Sequence, residues 1–329
     1  MKIAVLGAGA IGGWMAAKLH ATGADVSLIT RGETQKQVAA QGLQLLLKQE
    51  QQTQWIFGQS AQFFKNQGIQ FDLVIVSVKS QHMGDAAADI APLLHAKSMV
   101  LTAMNGVPWW YLQGFGGAHA GKALASVDPG GGIARRIPNA CMLGCVVHAS
   151  CSTDSPGVVR HHFGKGLVVG EACGGQSQRL STVVQLLKTA QFDVTESAAI
   201  QRDIWYKLWG NMTMNPISAL TGATTDQILA DPQVLEFVSA VMLEAKAIGA
   251  ELGIEINQTP QDRHQMTAKL GAFKTSMLQD SLAGRSIELD ALVGAVVELG
   301  QLTGVAVPNT AALMGLTRLM ARQQGLYPG

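Results

Sequence analysis

The chain is short of charge. Only 14% of its 329 residues are Asp, Glu, Lys or Arg, against about 25% in an average domain. The 24 basic and 23 acidic side chains nearly cancel, leaving a net charge of +1. No excess of one sign is available to hold a nucleic acid or an anionic membrane surface, so neither is expected as a partner. Cysteine is also scarce: Cys141, Cys145, Cys151 and Cys173 form no CxxC pair. A zinc ribbon and a thioredoxin-like motif are thereby excluded, and the four read as reduced thiols of a cytoplasmic protein. His161 and His162 find no credible set of metal partners in the sequence, and no metal is expected. Long apolar runs are missing too. Hydrophobic residues make up 47% of the chain, yet none of their runs approaches the roughly 20 residues of a membrane-spanning helix. Lys2 and the apolar stretch after it imitate a signal peptide, but glycines interrupt that stretch.

What remains is an apolar, weakly charged chain long enough for two domains at about 150 residues each. Disorder does not fit that composition. Glycine is plentiful, at 37 residues against 10 prolines, and its placement carries the first functional signal. Lys2–Leu6 reads as a short buried strand. Gly7-Ala8-Gly9-Ala10-Ile11-Gly12 follows, and then a helix to His20 and a second strand over Asp25–Thr30. A G-x-G-x-x-G sequence alone is weak. Between a strand and a helix it is the dinucleotide-binding turn. Gly7 permits the tight turn, Gly9 the approach of a pyrophosphate and Gly12 close helix–sheet packing. Arg31 stands after the second strand, where NAD-binding domains place an acidic residue for the ribose 2′-hydroxyl. An arginine there favours the 2′-phosphate of NADP, and NADPH is the expected cofactor.

Further buried strands are expected at Asp72–Val78 and Met99–Ala103, and a hairpin over Leu43–Leu47 and Gln54–Phe57. Lys79 and Asn105 follow the two later strands, at the carboxyl ends where open α/β sheets bind ligands. Lys79 reads as a ribose or phosphate contact or as a solvated loop residue. Asn105-Gly106 reads as a hydrogen-bonding site or as a plain turn. The glycine-rich stretch Gly114–Pro138 reads as a long loop rather than a packed element. Short strands are expected near Cys145–Ala149, Val158–His162, Leu167–Val169 and Phe192–Thr195, with a helix over Gln178–Ala190. Helical patterns cover Ile200–Ala219, Pro232–Leu252, Arg263–Leu282, Leu289–Thr303 and Thr310–Arg322. The fold class is therefore α/β: a Rossmann-like N-terminal domain over 1–197 and an all-helical domain over 198–329, which could also supply a homodimer surface.

In the first of these helical patterns Lys207, Asn211 and Asn215 recur every fourth residue, so they share one face among Trp205, Trp209 and Met212. Polar groups in such company face a polar cleft, pair internally, or snorkel to water. Lysine also has the chemistry to protonate a carbonyl oxygen. Ser276-Met277-Leu278-Gln279-Asp280 comes later. Gly284 marks a break and Glu288 starts a new helix. Asp262, Asp280 and Asp290 read as ordinary surface carboxylates.

Taken together, the glycine turn, Lys79, Asn105-Gly106, the Lys207/Asn211/Asn215-Pro216 stripe, Ser276–Asp280, Glu288-Leu289-Asp290 and Val307-Pro308-Asn309-Thr310 resemble the ketopantoate reductase family over nearly the whole chain. The resemblance implies NADPH-dependent reduction of 2-dehydropantoate to (R)-pantoate, on the route to pantothenate and coenzyme A. It implies Lys207 as general acid, with Glu288 binding the substrate's hydroxyl region and setting the state of Lys207. Asn211, Asn215 and Ser276 would hold the substrate, and Asn105 would touch both cofactor and substrate. Arg31, Lys79 and the Gly7–Gly12 turn would hold the cofactor. Gly114–Pro138 is longer than in compact members, which leaves the 2-keto acid open. Reduction of another branched 2-keto acid and a non-catalytic NADP(H) sensor are the alternative readings.

Overall fold

A computed structural model describes residues 1–48 and 50–327. The chain forms two compact units, Met1–Met104 with Gly131–Asp203, and Asn105–Gly130 with Ile204–Gly329. Residues 105–130 fall inside the expected first domain, but they pack with the helical unit.

The first unit is built on a ten-stranded sheet. In chain order its strands are β1 (Lys2–Leu6), β2 (Asp25–Ile29), β3 (Leu43–Leu46), β4 (Gln51–Gln54), β5 (Phe57–Gln59), β6 (Phe71–Val76), β7 (Leu94–Thr102), β8 (Met142–Ser155), β9 (Val158–Glu171) and β10 (Asp193–Ser197). Strand β1 lies between β2 and β6 and pairs in parallel with both. The ladder continues in parallel from β6 through β7 to β8. Buried on both faces, β1 and β6 need the apolar runs they have, Ile3–Leu6 and Leu73–Val76, with Lys2 and Asp72 only at their less buried starts. Because β2 and β6 flank β1, their carboxyl ends and the turn after β1 line one edge of the sheet. This is the doubly wound arrangement, with its ligand-binding switch at the central strand.

Three local expectations shift. The hairpin pairs β3 with β4, and Phe57 opens β5, which joins β2 instead. The three short strands between residues 145 and 169 are two long ones, β8 and β9, paired antiparallel. Register shifts near His148 and Ser150 break the alternation, so the sequence shows fragments. Gly164 (φ +76°) sits so close that a Cβ would meet the His148 carbonyl oxygen at 2.6 Å. The glycine-rich stretch is packed after all. Leu124, Ile133 and Ile137 are buried, residues Gly132–Arg136 form a helical turn, and Glu298 accepts hydrogen bonds from the Ala125 and Ser126 amides at 2.7 and 2.8 Å. A few buried aliphatics and one distant carboxylate replace the periodic pattern that would have announced it.

The end of β9 carries a buried charge. Glu171 is 3% exposed. It takes a hydrogen bond from Arg179 Nε at 2.8 Å, and others from Arg179 Nη2 and Ser177 Oγ. Burial pushes its carboxyl up, but the Arg179 and Ser177 hydrogen bonds and the guanidinium charge together hold it below its ordinary value. A depressed carboxylate contributes stability above its unfolded-state pKa and loses it as pH falls through the folded value. Arg179→Ala is expected to cost about 3 kcal/mol at pH 7, because it strands a buried charge. The deficit should shrink toward pH 4 as Glu171 takes up a proton. Urea unfolding of both proteins at the two pH values checks this; a deficit that does not change with pH would contradict it.

The second unit is helical: Ile204–Thr221 (the main part of the Ile200–Thr221 helix), then Thr225–Ala230, Pro232–Glu251, Pro260–Ala268, Ser276–Leu282, Ala295–Thr303 and Pro308–Gln323. The single helix expected over Arg263–Leu282 is two. Thr275 caps the second of them by accepting from the Leu278 amide. Glu244 receives the Asn309 and Thr310 amides at 2.9 and 2.8 Å and so seals the start of the Pro308–Gln323 helix. A carboxylate is favoured there by the helix dipole. That contact gives Pro308-Asn309-Thr310 a structural meaning.

Candidate active site

In the first unit, each glycine of the turn after β1 has a separate reason. Gly7 has φ +92°, and a Cβ on it would stand 2.8 Å from the Ser77 carbonyl oxygen. A Cβ on Gly12 would stand 1.9 Å from the Gly7 carbonyl oxygen. Gly9 differs: a Cβ there meets nothing within 4 Å. Gly9 is the N-cap of the Ala10–His20 helix, which has no side-chain cap and no acidic residue in its first turn. The first-turn N–H groups of Ala10, Ile11 and Gly12 have no intrahelical acceptor and carry a partial positive charge, and beside them Gly9 leaves open the space a side chain would fill. An anionic diphosphate fits this place on both counts. Gly13, passed over in the sequence, is needed as well. A Cβ on it would meet Val159 Cγ2 at 2.7 Å, so it lets the helix press on β9.

Arg31 is exposed and caps the Gly32–Gln41 helix at the end of β2. Lys79 is half-buried and follows β6. Both cations bear on His82. Its imidazole is held below the ordinary value first by burial, then by Arg31 and Lys79, against a smaller opposing pull from Asp85. Arg31 and Lys79, which follow β2 and β6, thus both lie near His82.

In the second unit the polar stripe is real. Lys207, Asn211 and Asn215 lie on the uninterrupted Ile200–Thr221 helix, which runs on through Pro216. Lys207 and Asn211 are half-buried, and Asn215 is 5% exposed. Lys207 donates from Nζ to Asn105 Oδ1 at 2.9 Å. Asn215 donates from Nδ2 to Ser276 Oγ at 3.4 Å. Residues 102 and 61 positions apart in sequence are thus joined along one helix face. Glu288 is half-buried and directly precedes the helical segment that begins at Leu289. The apolar flank is fixed by Trp205 and Trp209, both buried, with Trp209 Nε1 donating to the Met242 carbonyl at 2.8 Å.

Asn105 is set by its neighbour. Gly106 has φ +79°, and a Cβ on it would lie 2.5 Å from the Ala291 carbonyl oxygen. The next amide, Val107 N–H, donates to that oxygen at 2.8 Å. Ala291 belongs to a π-helical turn over Asp290–Gly294, a wide turn of the kind often found at functional sites. Asp290 is also not the surface carboxylate it was expected to be. It is half-buried, accepts from Tyr327 Oη at 2.7 Å, and has its pKa raised, chiefly by burial. The π-turn has no periodicity signature, so the sequence shows neither the burial of Asp290 nor the contact of Ala291 with Gly106.

The sheet order and the uncapped glycine turn define a dinucleotide-binding protein of the doubly wound class. Comparison with known proteins agrees and goes further. Residues 3–174 match the ketopantoate reductase PanE/ApbA family, and residues 199–321 match the C-terminal region of the same family. A 2-dehydropantoate 2-reductase of Mesorhizobium japonicum is 40% identical over 99% of this chain and 100% of its own. A Ralstonia solanacearum MolK2 structure, described as a candidate ketopantoate reductase, is 45% identical. It superposes with a TM-score of 0.93 over 99% of both chains. A D-mandelate dehydrogenase solved with NADH and anilino(oxo)acetate shares the fold, at 21% identity and a TM-score of 0.85 over 99% of this chain and all of its own. The chain belongs to the ketopantoate reductase family. Among the described residues, no helix is long and apolar enough to cross a membrane.

Proposed function

We propose that the protein reduces the ketone of 2-dehydropantoate to (R)-pantoate with NADPH. The observation that carries this reading is the Lys207–Asn105 hydrogen bond of 2.9 Å on a stripe with two further asparagines. The 40% identical 2-dehydropantoate 2-reductase supports the substrate. Gly7, Gly9, Gly12 and the free N–H groups of the Ala10–His20 helix hold the diphosphate, and Arg31 and Lys79 hold the ribose phosphate side. When bound, the cofactor supplies a hydride. The protein supplies the proton. Lys207 donates from Nζ to the keto oxygen, whose negative charge grows as the ketone is reduced. Asn105 Oδ1 accepts from the same ammonium and fixes its direction. Asn211, Asn215 and Ser276 hold the acid's polar groups by hydrogen bonds, and Glu288 accepts from its hydroxyl. NADPH oxidation with 2-dehydropantoate, run beside other branched 2-keto acids, tests the reading. The highest kcat/KM on another acid would reassign the substrate, and no oxidation with any of them would leave a nucleotide sensor.

Arg31 carries the choice of NADPH over NADH. Arg31→Ala should raise the KM for NADPH about 30-fold, the loss of a charge-assisted phosphate contact, while the KM for NADH moves less than about threefold. Equal losses with both cofactors would place Arg31 away from the 2′-phosphate.

A further inference from the structure

Two main-chain or side-chain bonds bracket Glu288, and both lead to the same place. On one side, the Ile287 amide donates to the Leu326 carbonyl at 3.0 Å. On the other, Tyr327 Oη donates to Asp290 Oδ1 at 2.7 Å. Leu326 and Ile287 are each 2% exposed. Arg322 stacks its guanidinium 5.6 Å from the Tyr327 ring centre, which limits where that ring can go. The segment after the Pro308–Gln323 helix therefore clasps the stretch that carries Glu288. The hold extends further. Asp290 opens the π-turn, with its Oδ1 3.3 Å from the place a Cβ on Gly294 would occupy. The next residue, Ala291, presents the carbonyl that takes the Val107 amide and walls in Gly106. Gly106 in turn follows Asn105, the acceptor of Lys207.

We propose that Tyr327 is a positioning residue for the keto acid reaction: through Asp290 it fixes the 287–291 segment, and with it Glu288 on one side and Asn105 on the other. The inference rests on the catalytic reading of Lys207 and Glu288 given above. The physical requirement is a half-buried carboxylate that takes its hydrogen bond from Tyr327 Oη. Asp290 is half-buried, and burial raises its pKa. Groups facing it are Tyr327, Arg318 and, through the Tyr327 ring, Arg322. A loosened Asp290 frees the π-turn, and an error of about 1 Å in a reacting group costs up to about 100-fold.

Tyr327→Phe keeps the ring and removes only the donor. It is expected to lower kcat for the keto acid about tenfold and to leave the Kd of NADPH unchanged. Asp290→Ala should do the same, and the double variant should lose little more than either alone. Asp290→Asn, which keeps an acceptor oxygen, should recover most of the loss. Amide exchange gives a readout without turnover: Ile287 and Val107 should exchange faster in Tyr327→Phe, while amides of the Pro232–Glu251 helix stay protected. Unchanged exchange at Val107, wild-type kcat in Tyr327→Phe, or Asp290→Asn as impaired as Asp290→Ala would each overturn the proposal. If the wild type oxidises NADPH with no keto acid, the functional reading fails instead, and exchange still decides whether the clasp exists.

Discussion

Lys207→Ala is expected to lower kcat for 2-dehydropantoate about 1000-fold while the Kd of NADPH moves less than about threefold, the range for removing a positioned general acid. The argument starts from where the ammonium is. Lys207 is half-buried on a helix flanked by buried Trp205 and Leu208, so its charge is poorly hydrated and needs a partner. Asn105 Oδ1 accepts from Nζ at 2.9 Å and gives the ammonium a fixed direction. Removing the side chain removes the proton donor and leaves the residues of the glycine turn unaltered, so binding of the dinucleotide should survive. Lys207→Arg should recover little, because a guanidinium is both larger and a far weaker acid. Stopped-flow NADPH oxidation together with fluorescence titration of the cofactor measures the two effects. Turnover within tenfold of wild type would remove Lys207 from the chemistry.

Much of this arrangement was legible in the sequence, and the limits of that reading follow from range. The turn from Gly7 to Gly12 is local: strand, glycines and helix are contiguous, so composition and spacing sufficed. The Lys207/Asn211/Asn215 stripe is also local, since helical period alone puts the three on one face. Its partners are not. Nothing in the sequence around Asn105 shows that Gly106 exists to admit the Ala291 carbonyl, because that contact joins distant residues across a turn with no regular period. The same holds for Asp290, read as a surface carboxylate until Tyr327 supplied a donor, and for residues 114–138. There, packing rests on Leu124, Ile133 and Ile137 and on Glu298 rather than on any pattern. The sequence boundary near 197 has the same origin. Residues 105–130 lie early in the chain, but their packing partners lie late.

The glycine turn gives the second large effect, and two substitutions in it should fail in different ways. Gly9→Ala is expected to raise the Kd of NADPH about 100-fold, or about 2.7 kcal/mol, with the melting temperature of the free protein nearly unchanged. Gly9 has φ −77°, a value alanine adopts without strain, and its Cβ would touch nothing within 4 Å. The added methyl therefore costs the empty protein almost nothing. It occupies the space through which the diphosphate must approach the helix N–H groups. Gly12→Ala meets the Gly7 carbonyl oxygen at 1.9 Å, a backbone atom that cannot move without opening the turn. Overpacking of this kind costs about 3 kcal/mol, so this variant should lose both stability and cofactor. Thermal unfolding with and without NADPH separates the two: Gly9→Ala melts like the wild type when empty but gains little from the cofactor, and Gly12→Ala is already low. If Gly9→Ala bound NADPH normally, the diphosphate would have to lie elsewhere along the sheet edge, and the role given to the Ala10–His20 helix would fall with it.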